Sequence, residues 1–125
     1  MSVRLLLGDC LERMKEIPDG SVDLVLTDPP YGTTACKWDA VIPFENMWAE
    51  LKRVLKRNGA AVFTASQPFT SALVMSNAKD FRYAWVWEKD VGSNFAPLKY
   101  HPMKEHAHIV VFSRKTHNYY PQKEP

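Results

Sequence analysis

The sequence has few cysteines and no long hydrophobic run. Cys10 and Cys36 are its only cysteines and neither belongs to a CxxC pair, which argues against a disulfide scaffold or a cysteine-ligated metal site. Every apolar stretch is far shorter than the ~18 residues that a membrane span needs. The apolar run that follows Arg4 is also too short for a signal peptide. We therefore expect a cytoplasmic protein with reduced cysteines and no membrane partner.

Closely spaced glycines and a strong net charge are also absent. The five glycines are at least twelve positions apart, so the sequence contains no GxG turn of any kind. The formal net charge of +2 is too weak to indicate a nucleic-acid partner by itself. Residues 99–125, however, carry a net +3 and all four histidines, whereas residues 1–98 carry a net −1. An anionic partner would favour the C-terminal part of the chain.

The 125 residues, of which 46% are hydrophobic, are typical of a single domain, 1–125. The apolar pattern predicts strands at 3–7, 22–27, 60–65, 83–89 and 106–112, and helices at 11–17, 44–55 and 69–78. This alternation indicates an α/β fold with a mostly parallel sheet and an antiparallel end. We expect Asn58-Gly59 to end the second helix and the last ten residues to form an unpacked tail.

The segment Asp28-Pro29-Pro30-Tyr31 directly follows the predicted strand 22–27, and its two prolines prevent that strand from continuing. In α/β proteins, functional residues lie at the carboxyl ends of the strands. The Asp28 carboxylate and the Pro29 carbonyl are two neighbouring acceptors suited to an NH₂ group, and Tyr31 offers a flat face for a planar ring. The alternative is a simple turn in which Tyr31 covers the core.

Further motifs follow in a fixed order. They are Gly8-Asp9-Cys10-Leu11-Glu12, then residues 17–32, Trp38-Asp39, Trp48 with 51–56 and Gly59, Trp87-Glu88-Lys89 and Val110-Val111-Phe112. In this order the chain resembles the amino-group DNA methyltransferases, in the arrangement where the catalytic loop precedes the cofactor loop. The resemblance implies a partial Rossmann-like methyltransferase fold, S-adenosyl-L-methionine as cofactor, and double-stranded DNA as substrate, as in restriction-modification systems.

The resemblance also implies roles for individual residues. Asp28, Pro29 and Pro30 would form the catalytic loop with Tyr31, whose ring would stack on a base flipped out of the duplex. An aspartate at the head of this loop favours adenine-N6 over cytosine-N4 methylation. The expected cofactor contacts are Asp9, Cys10 and Asp28, although Asp9 is equally suited to cap the following helix. The expected DNA contacts beside Tyr31 are Trp38 and Lys89.

The chain departs from the family pattern because the glycine-rich cofactor loop is missing. We therefore expect an incomplete catalytic domain, inactive alone, arising from a truncated gene, an artificially shortened chain or half of a split enzyme. A second chain or a missing C-terminal half would complete its sheet. The alternative function is a non-catalytic nucleic-acid-binding or assembly module. His101, His106 and His108 suggest a metal site only weakly, since the sequence places no further ligand, and none is expected.

Overall fold

The computed structural model describes residues 2–93 and 99–124. Its elements are the helices α1 (Cys10–Met14), α2 (Phe44–Val54) and α3 (Phe69–Ser76) and the strands β1 (Val22–Thr27), β2 (Leu55–Ala65), β3 (Phe81–Ser93) and β4 (Lys104–Phe112). No helix among the described residues is long and apolar enough to cross a membrane.

The four strands form one mixed sheet in the order β1-β2-β4-β3. β1 and β2 run parallel, whereas β4 is antiparallel to both β2 and β3. The predicted α/β class, with parallel strands and an antiparallel end, is confirmed. Because β3 therefore runs in the same direction as β1 and β2, the carboxyl ends of these three strands lie at one edge of the sheet.

The predicted first strand at 3–7 is wrong. This segment forms no strand, and Leu5 and Leu7 are 90% and 97% exposed. Alternating apolar residues form a strand only where another strand satisfies their backbone hydrogen bonds. Within the described residues the parallel part of the sheet is consequently the β1–β2 pair, and β1 is an outer strand.

The prediction that Asn58-Gly59 ends the second helix is also wrong. α2 ends at Val54, and Leu55 is already extended, with φ −71° and ψ 136°. β2 begins there, and its register against β1 shifts between the pairs Val22–Leu55 and Leu24–Ala60. Asn58 and Gly59 thus lie in an irregularity of β2. A Cβ on Gly59 would be only 3.0 Å from the Asp23 carbonyl oxygen, which explains the glycine.

The last two strands are longer than predicted, and part of the C-terminal tail is packed. β3 extends to Ser93 and β4 begins at Lys104, so the expected loop 90–105 is shorter, and its residues 94–98 lie outside the described residues. In the tail, His117 Nε2 lies 3.0 Å from the hydroxyl of Tyr83. Polar contacts therefore fix a segment whose composition suggested an unpacked end.

The hydrophobic core lies on the sheet face covered by α2 and α3. The predicted amphipathic helix α2 buries Met47, Trp48, Leu51 and Val54. The centroid of the Trp48 ring lies 4.7 Å from that of Phe112 in this core. Trp85 and Trp87, by contrast, are 55% and 49% exposed on β3. An apolar surface thus remains on the described sheet.

Candidate active site

The loop after β1 lies at the carboxyl edge of the sheet and faces a cleft of about 300 Å³. The cleft is lined by Asp28, Pro29, Pro30, Tyr31, Thr34, Trp38 and Asp39. This confirms the predicted position of the loop and brings Trp38, which is 74% exposed, to the same cleft. Sequence reasoning thus located most of the lining, whereas the chemical roles of these residues remain predictions.

Tyr31 connects the cleft with the core. One face of its ring stacks on Phe69, with centroids 5.1 Å apart and planes at 21°. The ring packs against the core cluster while remaining partly exposed at the cleft. The structure therefore agrees in part with both interpretations of Tyr31, a cover of the core and a flat surface for a planar ring. Tyr31 covers the edge of the core, and it also presents a flat, partly exposed side chain to the cleft.

A hydroxyl and carboxylate network joins Tyr31 to Asp28. The Tyr31 hydroxyl lies 3.1 Å from Asp28 Oδ1 and 3.1 Å from Thr64 Oγ1. The Thr64 hydroxyl donates to the same Asp28 oxygen at 2.5 Å. Burial raises the pKa of the Tyr31 phenol, and the charge of the neighbouring Asp28 carboxylate adds to this rise. The phenol is therefore neutral and available as a donor near pH 7.

Sequence reasoning missed Thr64. Its position is explained by the register of the parallel pair, in which Thr27 of β1 lies opposite Phe63 of β2. Asp28 follows Thr27 and Thr64 follows Phe63, so these two residues lie next to each other. The only signal in the sequence is a polar residue near the end of a strand whose neighbour carries the loop, and strand order is needed to recognise it.

Asp39, the second residue of the Trp38-Asp39 motif, organises the wall of the cleft. Its buried carboxylate accepts hydrogen bonds from the backbone amide of Gly32 at 2.9 Å and from the amide and hydroxyl of Thr34, each at 2.7 Å. Gly32 has a φ of 72°, and a Cβ there would be 2.8 Å from Val41 Cγ2. The turn that follows Tyr31 thus depends on one glycine and one carboxylate.

These donors lower the pKa of Asp39 to about 2, with the Thr34 hydroxyl as the largest cause and the Gly32 amide next. The folded state favours the ionised form of Asp39. The contribution of this carboxylate to the free energy of unfolding is therefore complete above the ordinary pKa of 3.8 and is lost as pH falls towards 2. We expect the Gly32 and Thr34 amide proton shifts to titrate in this window by NMR. Asp39→Asn should abolish the titration. A midpoint near 3.8 in the folded chain would contradict the assignment.

Asp9 caps helix α1, as one of its two predicted roles required. Its Oδ1 accepts from the backbone amides of Leu11 at 2.9 Å and Glu12 at 3.4 Å. Cys10 is the first residue of α1 and is an exposed free thiol. The capping role of Asp9 is confirmed, while a cofactor contact by Asp9 or Cys10 stays a prediction.

Lys89 lies outside the cleft lining. It is exposed on β3, and its Nζ lies 5.4 Å from the centroid of the Trp87 ring. β3 ends on the same side of the sheet as β1, but β2 and β4 lie between these two strands. A contact of Lys89 with DNA phosphate is compatible with this position, whereas a contact with a base held at Tyr31 is not supported.

The histidines of β4 form a pair beside α3. The rings of His106 and His108 are 5.2 Å apart, and His108 Nδ1 lies 2.9 Å from the Thr70 hydroxyl. Burial lowers the pKa of His108, and the positive charges of His106 and Lys104 lower it further. Within residues 2–93 and 99–124 no three His, Cys, Asp or Glu side chains are grouped as ligands for a metal.

The fold and the residues of the cleft identify the class of protein to which this chain belongs. A mixed sheet with an Asp-Pro-Pro-Tyr loop at the carboxyl end of its parallel pair agrees with a family model described as DNA methylase, which matches residues 22–125. The chain belongs to this N6/N4 DNA methylase family.

Individual relatives extend this result. DNA adenine methyltransferase YhdJ of Escherichia coli (strain K12) is 32% identical over 125 residues, covering 90% of this chain and 42% of that protein. Type II methyltransferase M.HinfI of Haemophilus influenzae is 56% identical over 27 residues, 22% of this chain and 8% of that protein. The chain therefore spans less than half the length of these curated relatives.

Solved structures show the same fold. PvuII DNA methyltransferase, described as cytosine-N4-specific, aligns with a TM-score of 0.68 at 14% identity, covering 89% of this chain and 49% of its own. The M1.HpyAVI complex with SAM aligns with a TM-score of 0.64 at 17% identity, covering 94% and 59%. At these identities the likeness concerns the fold alone.

Proposed function

We propose that this chain is the base-binding part of an S-adenosyl-L-methionine-dependent DNA methyltransferase. Its target would be the exocyclic amine of adenine, N6, with cytosine N4 as the alternative, in a base flipped out of double-stranded DNA. The observation that carries the proposal is the single cleft that holds the Asp28 carboxylate, the partly exposed Tyr31 ring and the exposed Trp38. These are an acceptor and two flat surfaces, which suit an aromatic amine.

The proposed role of the cleft residues follows from the low reactivity of an exocyclic amine. Its lone pair is conjugated with the ring, so it is a weak nucleophile, and positive charge develops on nitrogen as the methyl group is transferred. The Asp28 carboxylate and the Pro29 carbonyl would accept hydrogen bonds from its two N–H groups and stabilise that charge, which is removed when one of these protons leaves the methylated nitrogen. Stacking on the Tyr31 ring would add roughly 1–3 kcal/mol of binding free energy and fix the plane of the base.

The cofactor would supply the electrophilic methyl group, and the residues expected to contact it are Asp9, Cys10 and Asp28. This chain fits only part of such a ligand. One oxygen of Asp9 already accepts two helix amides, and the sequence has no glycine-rich turn to approach the methionine end. We therefore propose that residues 1–125 are one incomplete catalytic domain whose cofactor cradle comes from another polypeptide segment.

The proposed partners are thus double-stranded DNA and a second chain or a further part of the same protein, in the cytoplasm. The absent GxG also supports a second candidate, a non-catalytic nucleic-acid-binding or assembly module that retains the base cleft. The two candidates differ in whether the cleft ever acts on the amine it holds.

Binding of free nucleosides tests the cleft without requiring methyl transfer. We expect adenosine to shift the Tyr31 and Trp38 ring resonances in an NMR titration, and purine riboside, which lacks the amine, to bind about tenfold more weakly because one acceptor pair is left unmatched. Cytidine in parallel distinguishes the two target amines. Equal binding of adenosine and purine riboside would remove the amine from the proposal.

Incorporation of labelled methyl groups separates the enzyme from the binding module. The assay uses labelled S-adenosyl-L-methionine, unmethylated double-stranded DNA and the chain, alone and in the presence of candidate complementary polypeptides. Transfer that depends on Asp28 supports the enzyme. DNA binding by a form that also binds the cofactor, yet transfers no methyl group, supports the module.

A further inference from the structure

We propose that Thr64 is a positioning residue that orients the Asp28 carboxylate for recognition of the target amine. The proposal rests on the proposed function, because it concerns the same cleft. It adds to that function a residue on a different strand, β2, that touches neither base nor cofactor in our assignment. It also assigns the two oxygens of Asp28 to different tasks.

Backbone register brings the two side chains together. β1 and β2 are parallel, and the Thr27–Phe63 pair is the last pair of their register. Asp28 and Thr64 each follow a member of this pair. Thr64 lies within the regular strand β2, whereas Asp28 has left β1 for the loop. A hydrogen bond between them therefore fastens the first loop residue to the rigid neighbouring strand.

The count of hydrogens determines the direction of the bonds. The Thr64 hydroxyl has one proton, which it donates to Asp28 Oδ1 at 2.5 Å. The Tyr31 hydroxyl, 3.1 Å from both Thr64 Oγ1 and Asp28 Oδ1, shares its one proton between these two acceptors. Both hydroxyls thus engage Oδ1. The other oxygen, Oδ2, is the one that these hydroxyls leave for the amine.

The hydrogen bonds to Oδ1 restrict the rotation of the Asp28 carboxylate. A carboxylate can rotate, and an exposed aspartate such as Asp28 would otherwise sample several orientations. Two donors on one oxygen fix the plane of the group before the base arrives, so the acceptor is already oriented. Hydrogen bonds to a charged acceptor are about twice as strong as neutral ones. Thr64→Val would keep the shape of threonine and remove the donor.

The test compares Thr64→Val with Thr64→Ser, which restores the hydroxyl. Thr70→Val is the control, because the Thr70 hydroxyl bonds to His108 and not to this network. The measured quantity is the ratio of the adenosine and purine riboside dissociation constants, from NMR titration of the Tyr31 ring. We expect Thr64→Val to reduce the preference for adenosine by about tenfold, to near unity. Thr64→Ser and Thr70→Val should retain it.

A second readout is the titration of the Tyr31 phenol, followed at its Cζ carbon. Thr64→Val removes one of the two acceptors of the Tyr31 hydroxyl proton, so the Tyr31 pKa should change in Thr64→Val and stay as it is in Thr64→Ser. An adenosine preference that survives in Thr64→Val overturns the inference and leaves the proposed function intact. If neither nucleoside binds the unaltered chain at Tyr31, the proposed base site fails and the inference fails with it.

Discussion

Asp28→Ala is expected to lower the rate of methyl transfer by about a hundred- to a thousandfold, the usual cost of removing a group that stabilises transition-state charge. The carboxylate meets an amine that is neutral before the reaction and positively charged as the new bond forms. Its interaction therefore grows along the reaction, and the loss should fall on kcat more than on DNA affinity. Single-turnover methyl transfer and DNA binding, measured on whichever form of the protein transfers methyl groups, give the two quantities.

Asp23→Ala is the matched control. Asp23 is an exposed carboxylate on the same strand, paired with Lys56 at 2.9 Å, so its removal changes the net charge equally without touching the cleft. We expect its effect on the rate to be small. Equal losses of DNA affinity and rate in Asp28→Ala would mean that Asp28 contributes uniform binding rather than stabilisation of the transition state.

The position of the candidate site could be predicted from the sequence because its determinants are local. A near-continuous apolar run defines β1, and two prolines end it, so Asp28 must lie at a strand end. Thr64 could not be found in this way. Its contact with Asp28 depends on β1 and β2 being parallel neighbours in a particular register, which is a property of the assembled sheet.

The errors in the fold have a similar origin. Residues 3–7 alternate as a strand should, but alternation states which face a residue would occupy and not whether a partner strand exists. Asn58-Gly59 has the composition of a helix end, yet the chain enters β2 three residues earlier and uses the glycine for a close backbone approach. In both cases tertiary pairing overrides the local pattern.

The exposed side of β1 leads to the last prediction, that the isolated chain self-associates. Leu24 and Leu26 are 54% and 70% exposed, and β1 is an outer strand of the described sheet. An outer strand offers unpaired backbone groups, and apolar side chains there favour pairing with another chain. We expect the sedimentation coefficient of residues 1–125 to rise with concentration, and the isolated chain to transfer no measurable methyl groups.

Leu26→Lys should weaken this association by roughly ten- to a hundredfold, since burying a leucine contributes about 1.5–3 kcal/mol and a lysine cannot replace it. Met75→Lys is the control, because Met75 is 75% exposed on α3, away from the sheet edge. If both variants weaken association equally, general charge and not the β1 edge is responsible. A monomer at all concentrations would show that the edge is protected within this chain, and the need for a complementary polypeptide would then rest on the absent glycine turn alone.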